Sequence, residues 1–155
     1  MIKSKSKTGA KISEYIPQFP DKYIGSYPIM CRSSWERMYA QYLDASPFVV
    51  EWSSEGNVIP YFDPTRHKQR RYYPDFYVKM KNGRRSKRFL VEIKPYKETK
   101  PPTSGRRKSN KTKMYQESTW ETNKAKWRAA QKYCKKMGLE FKILSENELF
   151  GDKKK

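Results

Sequence analysis

Acidic and basic side chains lie at the ends of two neighbouring apolar segments in this 155-residue chain: an acid at the start of one segment, and an acid and a lysine at the close of the next. Asp75 follows Pro74 at the start of one segment, and Glu92 and Lys94 close the next. In a strand, residues two apart share a face at about 6.6 Å from each other, so Glu92 and Lys94 point the same way. Two carboxylates and an ammonium on one patch are costly unless a cation and an anionic substrate lie among them. The pattern therefore indicates metal-dependent cleavage of a phosphodiester.

The two segments, residues 72–81 and about 85–94, are predicted to form a β-hairpin with a tight turn at Asn82-Gly83. With a two-residue loop, Asp75 faces Leu90 and has Glu92 as its diagonal neighbour. With a four-residue loop, Asp75 faces Glu92 directly. Both registers place the two carboxylates on one face, whereas a three-residue loop without a bulge would separate them.

A third acid, Glu36, lies in a predicted helix that Ser33-Ser34 can cap at its N-terminus. Apolar residues recur at helical spacing on this segment: Trp35, Met38, Tyr39 and Tyr42. Glu36 belongs to an adjoining stripe with Ala40 and Leu43, so we expect it to be held beside buried surface.

The remaining segments predict an α/β fold in a single domain spanning residues 1–155. Short strands are expected at 48–52, 58–62 and 139–144, and a helix from about Glu117 to Gly138. Ser145 and Glu148 have the spacing that caps a short final helix. Residues 1–12 read as a flexible basic arm, and residues 95–116, rich in Pro, Gly, Lys and Arg, as a long basic loop.

The formal charge of +19, from 35 Lys and Arg against 16 Asp and Glu, favours a polyanionic partner such as nucleic acid. Basic residues of the loop and of the last long helix are the predicted DNA contacts: Lys97, Lys100, Arg106, Arg107, Lys108, Lys124, Arg128 and Lys132. The sole histidine, His67, lies among arginines and lysines and reads as a solvated loop residue. Cys31 and Cys134 read as reduced thiols of an intracellular protein, and no signal peptide or membrane span is expected.

The order of helix with Glu36, strand with Asp75 and strand with Glu92-x-Lys94 resembles the PD-(D/E)xK nuclease superfamily. Six motifs that together span most of the chain carry a closer resemblance: Lys22-Tyr23-Ile24-Gly25, Pro28-Ile29, Arg32-Ser33-Ser34-Trp35-Glu36, Ile59-Pro60-Tyr61, Arg71-Tyr72-Tyr73-Pro74-Asp75-Phe76 and Val91-Glu92-Ile93-Lys94-Pro95. With these motifs the chain resembles the head-completion nucleases of T-even-like tailed phages. The end-cleaving endonuclease subunit of heteromeric transposases is similar at a greater distance.

The resemblance implies a restriction-endonuclease-like core, a mixed β-sheet flanked by helices. It implies that Asp75 and Glu92 ligate Mg²⁺, for which Mn²⁺ can substitute, with the Ile93 backbone carbonyl as a further oxygen ligand. Glu36 would complete the site through a water or a second ion, and Lys94 would orient the attacking water and stabilise charge on the phosphate. The implied reaction is DNA phosphodiester hydrolysis during phage head completion. The implied setting is the host cytoplasm or the virion, with portal, head or neck proteins as partners.

Two alternatives stay open beside the endonuclease. A catalytically silent head-completion protein would bind DNA without metal-dependent cleavage. A basic RNA- or ribosome-associated protein would prefer RNA and would be indifferent to Glu92→Ala. The presence of Glu36, Asp75, Glu92 and Lys94 together favours the enzyme, because an inactive descendant has no chemical reason to keep all four.

Overall fold

The computed structural model describes residues 12–103 and 107–151. The elements in chain order are β1 (Ser13–Tyr15), β2 (Ile29–Cys31), α1 (Ser34–Ala45), β3 (Val49–Ser54), β4 (Ile59–Asp63), β5 (Lys68–Tyr72), β6 (Phe76–Asn82), β7 (Arg85–Ile93), α2 (Asn110–Met137), β8 (Glu140–Leu144) and α3 (Glu146–Leu149). Short 3-10 turns occupy Pro20–Lys22 and Tyr96–Thr99. None of the helices in these ranges is both long and apolar enough to cross a membrane.

The central sheet has the strand order β3-β6-β7-β8. Its first three strands are antiparallel, and β8 is parallel to β7. Alternation along β7 separates the two faces: Phe89 and Val91 join the core that contains α1, while Leu90 packs with Trp127 of α2. The mixed sheet flanked by helices confirms the predicted fold class. The hairpin β4–β5 is a separate two-stranded sheet, and α2 packs against β4 as well as β8.

The β6–β7 hairpin closes one residue later than predicted. Asn82 pairs with Arg85, so the two-residue turn is Gly83-Arg84 rather than Asn82-Gly83. Gly83 has a φ of 62°, which glycine adopts without the steric penalty that a Cβ would bring. Phe76 pairs with Val91, which is the register predicted for the four-residue loop. Extending it by one residue places Asp75 opposite Glu92.

The predicted strand over residues 72–81 is two strands. Tyr72 ends β5, which pairs with β4, and Phe76 begins β6 in the central sheet. Pro74 lies in the break, where it lacks the N–H that a ladder needs. Strand β5 and the change of sheet just before Asp75 were therefore not predicted from the sequence.

The predicted long basic loop over residues 95–116 is shorter than expected, because α2 begins at Asn110 and not near Glu117. Ser109 caps this helix, since its side chain accepts a hydrogen bond from the Thr112 backbone N–H. The residues between Asn110 and Glu117 include no Gly or Pro, which would disfavour a helix. Their positive charge did not prevent helix formation. The predicted basic arm lies outside the described residues, apart from Ile12.

Other local predictions hold. Ser33 caps α1, and Ser145 and Glu148 form a capping box on α3. Cys31 and Cys134 are free and buried, and His67 is exposed in the β4–β5 connection.

On α1 the buried stripe is Glu36, Ala40 and Leu43, whereas Tyr42 is exposed. The aromatic residues of α1 therefore lie at the margin of the core rather than at its centre.

Candidate active site

Three acidic side chains meet at the end of the central sheet where β7 finishes. Glu92 is the penultimate residue of β7, Asp75 immediately precedes β6, and Glu36 lies in the first turn of α1. Tyr77 and Leu90 have their side chains on the face of the sheet that packs against α2. Asp75 and Glu92 are each two residues away from one of them, so they lie on the same face. Glu36 reaches this group from the helix on the other face. The charges of Glu92 and Glu36 both act on Asp75, so the three sequence-predicted acids are brought together.

Asp75 is fixed by the backbone of the neighbouring strand. Its Oδ2 accepts a hydrogen bond of 2.8 Å from the Ile93 N–H. Burial of the carboxyl raises the pKa of Asp75 well above its usual range, and the charges of Glu92 and Glu36 raise it further. A cation at this position would remove both penalties at once.

Glu92 is buried and contacts two groups with donor protons. Its Oε1 accepts a hydrogen bond of 2.7 Å from the Tyr72 hydroxyl, and its Oε2 lies 3.7 Å from Lys94 Nζ. Burial raises the pKa of Glu92, while the charge of Lys94 and the hydrogen bond from Tyr72 oppose that effect. Burial and the charge of Glu92 also raise the pKa of Tyr72, so the hydroxyl remains a proton donor.

Glu36 is buried, with 8% of its surface exposed. The Arg32 backbone N–H donates to its Oε2 at 3.1 Å, and the Glu36 backbone N–H donates to the Ser33 hydroxyl at 3.1 Å. Burial raises the pKa of Glu36 to about 7, and the charge of Glu55 contributes to the rise. A carboxyl group with this pKa changes its protonation state near neutral pH.

The donor set fits a small divalent cation that prefers oxygen. The Asp75 and Glu92 carboxylates, with the backbone carbonyl of Ile93 between Glu92 and Lys94 in the chain, offer only oxygen atoms. Within residues 12–103 and 107–151, no three side chains of His, Cys, Asp or Glu form a group arranged to hold a metal ion. The available oxygen donors are two carboxylates and a carbonyl, with Glu36 as a nearby third acid.

Four residues at the site were missed as participants by the sequence analysis: Tyr72, Lys126, Arg32 and Glu55. Tyr72 and Arg32 stand inside motifs that carried the resemblance, and their position beside Asp75 and Glu36 in the chain was an available signal. Lys126 lies in α2 and its charge acts on Glu92, but the helix contains several other lysines, so the sequence did not single it out. Glu55 follows β3 and had no sequence signal.

The predicted DNA contacts are dispersed over the region between β7 and α2 and over α2 itself. Lys97 and Arg107 are exposed, Lys100 Nζ lies 4.9 Å from the centre of the Tyr96 ring, and Arg106 is outside the described residues. Lys108 Nζ bonds the Thr103 carbonyl and the Gln116 side chain, both at 2.9 Å.

On α2, Lys124 pairs with Glu121 at 3.0 Å, and Arg128 and Lys132 are exposed. These three residues are spaced four apart, so they share one side of the helix, which differs from the side of the buried Trp127 and Ala130. Lys126 lies on another side, close enough for its charge to act on Glu92. The role of the eight residues in DNA binding stays a prediction.

Comparison with known proteins shows the family of the chain. Residues 46–146 match the family model described as TnsA-like endonuclease N terminal. The chain is 39% identical over 143 residues to the head completion nuclease of Enterobacteria phage T4, which covers 88% of this chain and 91% of that protein. The matched family region includes Asp75, Glu92 and Lys94, and Glu36 precedes it. The chain therefore belongs to the TnsA-like endonuclease family.

Proposed function

We propose that this protein is a Mg²⁺-dependent DNA endonuclease that acts during phage head completion. The observation that carries the proposal is the meeting of Glu36, Asp75, Glu92 and Lys94 at one end of the sheet in a chain of an endonuclease family. The head-completion context is supported by the T4 relative, whose name states it. Such a role places the protein in the host cytoplasm during assembly, with portal, head or neck proteins as candidate partners.

In this proposal, Asp75, Glu92 and the Ile93 carbonyl hold Mg²⁺, with Mn²⁺ as a substitute, and Glu36 completes the site through a water or a second ion. When bound, the ion polarises the scissile phosphate and offsets the negative charge that develops in the transition state. Burial raises the pKa values of Asp75 and Glu92, and a cation held by both carboxylates would favour their ionised forms. This linkage supports a metal-dependent reaction.

Lys94 and Glu36 supply the remaining chemistry. In this proposal, the Lys94 ammonium, which lies 3.7 Å from Glu92, stabilises charge on the phosphate and orients the attacking water. Glu36 holds that water by a hydrogen bond and accepts its proton, and its pKa, raised to about 7, supports this role. Attack of water on phosphorus breaks the bond to O3′, which leaves a 3′-hydroxyl and a 5′-phosphate.

DNA is the proposed substrate because the net charge of +19 provides a strong field for a polyanion. No base-reading motif is apparent in the sequence, so contacts with phosphates are expected to dominate. Binding is therefore expected to weaken steeply as salt rises and to depend little on base sequence.

The test is DNA cleavage by the pure full-length protein with Mg²⁺, with EDTA, and by the Glu92→Gln variant with Mg²⁺. The matched control is Glu117→Gln, which changes an exposed glutamate of α2. The proposal is supported if the wild type and the control cleave DNA in Mg²⁺, while the wild type in EDTA and the Glu92→Gln variant in Mg²⁺ do not. Binding of DNA without cleavage in every sample points instead to a catalytically silent head-completion protein.

A further inference from the structure

Arg32 and Glu55 lie between the two segments that present Glu36 and Asp75. Resting on the proposed function, we propose that these two residues form a clasp that positions Glu36 and Asp75 for metal binding. The clasp consists of the Arg32 and Glu55 side chains and of the backbone N–H group of each residue. It is a positioning device, and neither residue is proposed to touch the substrate.

Glu55 connects the clasp to Asp75 through the backbone. Ser54 pairs with Phe76 at the end of the β3–β6 ladder, and the Glu55 N–H donates to the Asp75 carbonyl at 3.0 Å. This bond extends the ladder by one residue beyond β6, to the position that carries the carboxylate. Glu55 then has a φ of 50°, a left-handed conformation that residues with a Cβ adopt uncommonly. The chain turns away from the sheet immediately after it has fixed the Asp75 backbone.

Arg32 connects the clasp to Glu36. It lies between β2 and α1, and its backbone N–H donates to Glu36 Oε2 at 3.1 Å. Its guanidinium binds the Glu55 carboxylate in a fork, with Nε 2.8 Å from Oε1 and Nη2 3.2 Å from Oε2. Backbone and side-chain bonds therefore run without interruption from Asp75 through Glu55 and Arg32 to Glu36.

The fold needs such a connection because the sheet alone does not fix Glu36. Asp75 and Glu92 are placed by β6 and β7, which pair with each other. Glu36 is carried by a helix on the other face, so its distance from them depends on how the α1 N-terminus is held. The clasp links that terminus to the end of β3, which pairs with β6.

The pairing of the Arg32 and Glu55 side chains also explains how a fourth acid, Glu55, is tolerated beside the three acids of the site. Glu55 contributes to the electrostatic cost of ionising Glu36, and the Arg32 guanidinium is the group that binds its carboxylate. A planar guanidinium can make both bonds of the fork, whereas a lysine ammonium acts as a single point charge. Geometry, and not charge alone, is therefore expected to decide the effect of replacing either residue.

An ordinary ion pair is the competing explanation. The two side chains are 30% and 26% exposed, and ion pairs in contact with solvent contribute little to stability. An ordinary pair predicts a small change in unfolding temperature and no change in metal affinity. A clasp predicts a loss of metal affinity in a protein that still folds.

The experiment uses charge-conserving variants of the full chain, Arg32→Lys and Glu55→Asp, singly and together. Binding of Mn²⁺ is measured by isothermal titration calorimetry, and thermal unfolding is measured in EDTA. The control is Glu51→Asp, which shortens a carboxylate of β3 that accepts a hydrogen bond from the Tyr77 hydroxyl and lies outside the clasp. Each single variant is expected to bind Mn²⁺ about 10–100-fold more weakly than wild type, as for other residues that orient metal ligands. The double variant is expected to be no weaker than the weaker single, because either change already opens the clasp.

Metal affinities within about twofold of wild type in both single variants would overturn the clasp, since residues that orient ligands change affinity more than that. Losses that multiply in the double variant would overturn it as well, because independent effects add in free energy. A wild type that binds no Mn²⁺ gives a different result: the proposed metal site itself fails, and the clasp fails with it. The titration therefore separates failure of the clasp from failure of the proposed function.

Discussion

Replacement of Glu36 by glutamine is expected to stabilise the metal-free protein while it removes activity. Glutamine keeps the volume of the side chain and an oxygen that can accept the Arg32 N–H. It removes a carboxylate that is buried near the charges of Glu55 and Glu92. The folded state thus loses an unfavourable charge, and the proposed reaction loses the group that holds its water.

The magnitude and its pH dependence follow from the pKa of Glu36, which is raised from 4.5 to about 7. Each pKa unit corresponds to about 1.36 kcal/mol, so ionising Glu36 costs the folded state roughly 3 kcal/mol. Because the folded pKa exceeds the unfolded value, the stability associated with the protonated carboxyl is fully present below pH 4.5 and is lost as pH rises through about 7. Relative to wild type, Glu36→Gln should therefore gain about 2–3 kcal/mol between pH 5 and pH 8.

The assay is urea unfolding of both proteins in EDTA at pH 5 and at pH 8. The control Glu117→Gln changes an exposed glutamate and should stay within about 0.5 kcal/mol of wild type at both pH values. Added Mg²⁺ should narrow or reverse the difference at pH 8, since a ligand stabilises the protein that binds it more tightly. A stability difference between Glu36→Gln and wild type that is the same at both pH values would refute the argument that Glu36 is buried among like charges.

Three further predictions concern other parts of the site and core. Tyr72→Phe removes only the hydroxyl that donates to Glu92, so the cleavage rate or the Mg²⁺ affinity should fall about 10–100-fold. Both are measured by titrating cleavage with Mg²⁺, and an unchanged midpoint and rate would contradict a positioning role for Tyr72. Lys94→Ala should abolish cleavage while a DNA-binding titration shows most of the affinity intact, because the field of the whole protein dominates binding; equal activity would contradict the site assignment. Leu90 is fully buried in β7, so Leu90→Ala should lower the free energy of unfolding, measured by urea denaturation, by about 2–5 kcal/mol. A loss of less than about 1 kcal/mol would contradict the packing of Leu90 against α2.

The sequence alone was sufficient to predict the local elements of the catalytic hairpin. The alternation of Phe76, Val78 and Met80 predicted β6, and the spacing of Glu92 and Lys94 predicted two side chains on one face. Ser33 predicted the start of α1 because capping depends on a few adjacent residues. Period, caps and turn residues act over short distances, so they are readable without the rest of the fold.

The break at Pro74 and the start of α2 were not predicted correctly. Tyr72 belongs to β5 because it pairs with Ile59 of β4 and not with the central sheet. Helix α2 begins at Asn110, directly after its cap Ser109, although the basic segment resembled a continuous loop. Strand pairing therefore set the first boundary, whereas at the second a local capping signal was hidden by the basic composition around it.

The sequence by itself determined the chemistry available: three acids, a lysine and a strongly positive chain, in the order of an endonuclease family. Tertiary structure alone decided which additional groups surround them. Tyr72 reaches Glu92 from another sheet, Lys126 acts on it from α2, and Arg32 and Glu55 join Glu36 to Asp75. The physical reason is that burial and the field of neighbouring charges depend on distances between segments far apart in the chain, and those distances are fixed only when the sheet and helices pack.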